Sequence, residues 1–219
     1  MSTNIYVFPH TNYIPSFAEF LDVATPKLHG FLAEIGSPQA PRITATLHVA
    51  TPETEDQLLP LDLAAPLRWR EEEDEYAFFD LRPIPGGTDA YFRIMDSSNY
   101  RAWAGEIKSR PPARQRKDWV KACLAQRYYW RFRRSLGQAA VINVLYGLLA
   151  AALAELTDGM LYSADGAWDY DRFPATAAEF SQWYFRPALA LEEDSRDWAA
   201  RCIAMIPEEL RTGEAWPDV

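Results

Sequence analysis

The sequence predicts an α+β fold: an N-terminal antiparallel β-meander with flanking helices, then a mostly helical C-terminal half packed on it. Three observations carry this expectation. Strand-like runs crowd the first 95 residues, helical periodicity dominates from residue 97 onward, and the two do not alternate as they would in a parallel β/α protein. With 219 residues, 48% apolar and 24% charged, the chain is long enough for one sizeable core and has an ordinary globular composition.

Residues 4–8 (NIYVF) read as a first strand closed by Pro9. Ser16 caps a helix carrying Phe17, Phe20 and Leu21. Thr25-Pro26 then starts a second helical piece, burying Leu28, Phe31, Leu32 and Ile35 before Gly36 ends it. Residues 42–50 alternate, with Ile43, Ala45, Leu47 and Val49 on one side and Thr44, Thr46 and His48 on the other, the pattern of a half-buried strand. Residues 51–65 are acidic and contain prolines, and read as an excursion over the surface. Strand-like runs follow at 67–70, 76–81 and 90–95, the last two joined by a long hairpin connection, RPIPGGTD.

From residue 97 the chain reads as helical. Pro111-Pro112 interrupts it, and residues 113–135 carry helical character throughout, with Trp119, Ala122, Cys123 and Trp130 on one broad face. Residues 139–156 form an apolar helix about one membrane thickness long, but Asn143, Tyr146, Gly147 and Glu155 interrupt it. A buried helix at the axis of the core is the better expectation. Residues 160–162 are short and extended. Pro174 and Thr176 open a helix through Trp183 and Tyr184, and Asp194 or Ser195 starts a last one through Ile206. A single domain over 1–219 is expected, with a division into a β-rich part, 1–107, and a helical part, 113–219, as the alternative.

Charge is sorted along the chain. Residues 108–134 hold ten cationic side chains and one acid, Asp118, while the remainder hold twelve Lys and Arg against thirty Asp and Glu; the total is −9. Such sorting bears on partners and steering. The acidic majority argues against binding to nucleic acid, even though the segment 127–134 (RYYWRFRR) interleaves arginine with aromatics. Its simpler reading turns the aromatics inward and pairs the arginines with acids elsewhere in the fold.

Several chemistries lack their signatures. Cys123 and Cys202 have no metal or redox spacing and read as free buried thiols. His10, His29 and His48 occupy three different elements. Gly86-Gly87 opens no phosphate loop, and no GxSxG, HExxH or GxGxxG occurs. No catalytic residue, metal site or cofactor is therefore assigned. Residues 1–9 carry no signal-peptide pattern, so a cytoplasmic protein without membrane contact is expected.

Two segments are candidates for recognition. Glu71, Glu72, Glu73, Asp74 and Glu75 read either as a solvated turn or as a docking patch for a cationic partner. Residues 156–174 set Asp158, Asp165, Asp169 and Asp171 among Tyr162, Trp168, Tyr170 and Phe173. The spacing does not fit a calcium loop. Either Trp168 packs the loop on the long helix, or Asp165, Trp168, Asp169 and Asp171 form a recognition surface.

The run T-D-G…S-x-D-G-A-W-D, beginning at Thr157 and ending at Asp169, follows an apolar helix in an acidic chain. Over residues 139–185 it resembles immunity proteins of bacterial polymorphic-toxin and interbacterial-competition systems. The resemblance implies a stoichiometric inhibitor, not an enzyme, that binds a cognate toxin and occludes its active site or blocks its activation. Glu71 to Glu75 and the Asp165–Asp171 loop would then face a partner with a basic surface. The alternatives are a carboxylate-dependent hydrolase using Asp165 and Asp169, and a self-associating structural or regulatory adaptor.

Overall fold

Alternation of apolar and polar side chains builds a seven-stranded sheet in the computed structural model, which describes residues 2–37, 39–51, 54–70 and 75–213. The strands are β1 (Thr3–Phe8), β2 (Ile43–Thr51), β3 (Thr54–Leu59), β4 (Glu75–Leu81), β5 (Ile84–Ile94), β6 (Tyr128–Arg134) and β7 (Met160–Tyr162). They lie in the order β3-β2-β4-β5-β6-β1-β7, and every pairing is antiparallel. Among the described residues seven α-helices accompany them: α1 (Phe17–Glu34), α2 (Ser97–Ser109), α3 (Pro111–Gln115), α4 (Lys117–Ala125), α5 (Ala140–Leu156), α6 (Ala177–Trp183) and α7 (Glu193–Thr212). The fold is α+β.

One face of the sheet carries Ile5, Val7, Ile43, Ala77, Phe79, Ala90, Phe92, Trp130 and Phe132, all buried. Helix α1 lies on this face, and Phe20 packs on both Phe79 and Phe132. Ser16 and Glu19 form a reciprocal capping box at its start. Helix α5 is the axis of the core: 14 of its 17 residues are buried, and it touches α1, α6, α7 and four strands. No helix among the described residues is long and apolar enough to cross a membrane.

Two contacts fix α5 in place. Gly147 lets the Tyr184 ring lie against the helix, where any Cβ would collide with it, and the Tyr184 hydroxyl donates to the Val144 carbonyl at 3.0 Å. At the N-terminus Ala139 supplies no side-chain cap. Instead, the buried Glu209 carboxylate of α7 accepts from Ala140 N–H at 2.8 Å and Val141 N–H at 3.1 Å. The opposite face of the sheet is covered at one end by α2, whose Trp103 packs against Tyr6, Phe8, Tyr129 and Tyr162.

Five expectations need correction. Residues 113–135 are not helical throughout: α4 ends at Ala125, Arg127 turns the chain at φ 64°, and Tyr128–Arg134 is an interior strand. Pairing on both edges with β5 and β1 satisfies its backbone, and Trp130 and Phe132 enter the core on alternate positions. Residues 67–70 join no ladder; the segment is pinned where Leu67 N–H donates to Pro15 O and Trp130 Nε1–H to Leu67 O. The surface excursion at 51–65 contains β3, and the connection after β4 is a tight turn at Arg82-Pro83. Finally, Thr25-Pro26 does not restart α1, which runs on unbroken because Pro26 and Asp22, whose carbonyl it leaves unpaired, are both exposed.

Candidate functional site

The loop after α5 is built largely for structure. Asp165 accepts from the Asn4 backbone N–H at 3.0 Å and from Ser163 Oγ at 3.1 Å, fastening the loop to β1. Trp168 is buried; its ring stacks on Phe185 at 5.2 Å and its Nε1–H donates to Trp183 O at 3.0 Å. Asp169 sits in left-handed conformation, its side chain wholly buried beside Arg172 at 3.2 Å, and accepts from Leu191 N–H at 3.1 Å. Burial pushes its carboxyl upward, and the Leu191 N–H and Arg172 oppose that shift. Asp171 alone of the four loop candidates is largely exposed, 3.7 Å from Arg110.

Of the acidic run only Glu75 is described. Glu71, Glu72, Glu73 and Asp74 lie outside the described residues. Glu75 is buried as the first residue of β4 and accepts from the Arg70 backbone N–H at 2.7 Å and Nε–H at 2.8 Å. Glu75, Trp168 and Asp169 are therefore held inside the fold and are not surface contacts; Asp165 is half-buried. Asp165 and Asp169 are each engaged by separate backbone donors and do not share a hydrogen bond. Among the described residues no three His, Cys, Asp or Glu side chains gather to hold a metal ion.

A different constellation emerges from strand register. One residue from each strand lies in a row across the outer face: Leu58, His48, Tyr76, Tyr91, Arg131, Tyr6 and Tyr162, in sheet order. His48 stacks on Tyr76 at 5.1 Å and 18°, and Tyr76 on Tyr91 at 5.7 Å and 29°. The Arg131 guanidinium lies 4.3 Å over the Tyr91 ring, with Arg93 at 5.2 Å from the same ring. The row grades from exposed to buried: Leu58 is 65% exposed, His48 through Tyr6 are half-buried, and Tyr162 is fully covered.

Burial drives the hydroxyls at the covered end upward, Tyr6 and Tyr162 each to about 12. Both therefore stay neutral donors at physiological pH. Tyr162 O–H donates to Glu106 at 2.8 Å and accepts from Arg110 Nε–H at 3.3 Å. At the open end Thr46 Oγ1 holds the His48 ring at 2.9 Å. Side chains locked in this way present a pre-ordered surface.

Reading residues 127–134 as helix hid this row. The signal was present in the alternation itself: Tyr129, Arg131 and Arg133 fall on one side, Tyr128, Trp130 and Phe132 on the other. Comparison of the chain with protein families, with curated proteins and with solved structures finds no match.

Proposed function

We propose that the chain is an immunity protein, a stoichiometric inhibitor that binds a cognate bacterial toxin domain and covers its active site. The observation that carries this reading is the transverse row of Tyr, His and Arg on a half-open sheet face. Tyrosine and arginine are enriched at binding hot spots, and rings already stacked lose little freedom on docking. The resemblance of residues 139–185 to immunity proteins points the same way.

In this reading the row supplies contact, and the net charge of −9 steers the protein toward a partner with a predominantly basic surface. Exposed acids such as Asp158 and Asp171 act at the rim. The protein works in the cytoplasm, where it meets the toxin, without catalysis of its own.

Affinity capture of the tagged protein from its native host, followed by mass spectrometry at low and high salt, tests the proposal. A single stoichiometric partner with a basic enzymatic domain, inhibited at a 1:1 ratio, is expected, with slower association at high salt. A monomer that captures no protein would remove the reading.

A further inference from the structure

The sheet has two edges, and the fold treats them differently. At the β7 edge Leu161 exchanges backbone hydrogen bonds with Ala175, at 2.8 Å and 3.1 Å, which closes that side. At the other edge β3 pairs with β2 alone among the described residues, so the outward N–H and C=O groups of β3 meet no strand there. A β-bulge between Val49 and Thr51 interrupts the ladder and leaves Gln57, Leu58 and Leu59 in regular register. Leu58 is 65% exposed at this point, and it is the outer end of the transverse row that continues inward through His48. An open edge of this kind is a template for an extended polypeptide, whose backbone supplies the matching donors and acceptors.

Charge decides which polypeptide adds here. The strand β3 reads TEDQLL, with two acids and no cation, in a chain of net charge −9. A second copy laid on β3 would set one acidic strand against another, a repulsion that natural edge strands use to prevent self-pairing. The same charge favours a strand that carries lysine or arginine. We infer that β3 is the edge to which a basic β-strand of the protein partner adds, lengthening the sheet by one strand and placing an apolar side chain opposite Leu58. The inference rests on the proposed inhibitor role, and it gives the partner's docking segment a secondary structure, a charge and a register. Backbone hydrogen bonds supply the affinity of such an addition, while the acids of β3 and the contact at Leu58 select among strands.

The test is a nuclear magnetic resonance titration of the full chain with short synthetic peptides, following backbone amide signals and their hydrogen exchange. A peptide of alternating lysine and valine is expected to shift the amides of Gln57, Leu58 and Leu59 and to slow exchange at the outward-facing amides of β3. A peptide of alternating glutamate and valine is expected to do neither, and so is the lysine peptide fully N-methylated, which keeps the charge and loses the donors. Glu55→Gln/Asp56→Asn is expected to weaken the response about threefold or more. Leu58→Lys, which puts a cation on the edge, is expected to abolish it. Unchanged β4 and β5 amide signals in the free variants establish that the sheet is intact. No response to the lysine peptide, a response confined to other strands, or an equal response to the glutamate peptide overturns the inference. Shifts of the β3 amides with protein concentration alone overturn it in favour of a second copy. A captured and inhibited partner whose affinity is indifferent to Leu58→Lys overturns it while leaving the inhibitor role standing.

Discussion

Glu179 serves two elements at once. Its carboxylate completes the capping box with Thr176 at the start of α6, and it pairs with Arg116 at the junction of α3 and α4. The Arg116 hydrogen bond, assisted by Thr176 and opposed by partial burial, lowers its pKa from 4.5 to about 2. A depressed carboxylate stabilises the folded state at pH above the unfolded value, and that contribution is lost as pH falls from 4.5 toward about 2. Glu179→Gln is expected to flatten the dependence of stability on pH within this window, read by urea denaturation at a series of pH values; an unchanged profile would refute the assignment. Trp168 illustrates the limit of reading single residues. A tryptophan beside three acids has the composition of an interface anchor, yet one carbonyl, that of Trp183, satisfies its indole and lets the core take it.

At the level of elements, α5 depends on a group 69 positions away. Glu209 supplies the acceptors that Ala139 lacks, and its negative charge faces the positive end of the helix dipole. Glu209→Ala leaves two buried N–H groups unpaired and is expected to cost on the order of 2–4 kcal/mol. Glu209→Gln, which retains one acceptor, is expected to cost roughly half that by the same reasoning. Urea denaturation of both variants checks the pair, and equal stability of Glu209→Ala and wild type would sink the argument. The apolar run of α5 made the helix itself legible; its cap was not, because no local pattern links Ala140 to Glu209. The β6 misreading has a related cause. Neither glycine nor proline separates Ala125 from Tyr128, and the turn is made by Arg127, a residue with no intrinsic preference for the left-handed region.

For the molecule as a whole, the α+β class, the core role of residues 139–156, the strand character of β2 and the hairpin of β4 with β5 were legible from periodicity, whereas the pairing of β2 with β4 was not, because residues 67–70 read as a strand between them. The order of the sheet was not, since pairing of β1 with β6 and β7 joins residues more than a hundred positions apart. The transverse row followed the same fate: its members are unremarkable singly and acquire meaning only through register. Strands from both halves of the chain share one sheet, with β5 hydrogen-bonded to β6 along six residue pairs. Fragments 1–107 and 113–219 are accordingly expected to show no cooperative thermal unfolding when prepared separately. A sharp transition in either one alone would establish an independent folding unit.

The position of β1 has a consequence in time. It leaves the ribosome before the other described strands, and it lies in the sheet's interior, flanked by β6 and β7. Neither neighbour exists until synthesis has passed residue 128 on one side and residue 160 on the other. Through that interval Ile5, Val7 and Phe8, all fully buried at the end, have no permanent place to go. The nascent chain therefore carries a sticky, unpaired strand until β6 and β7 have been made, and closure of the sheet around β1 waits on long-range contacts.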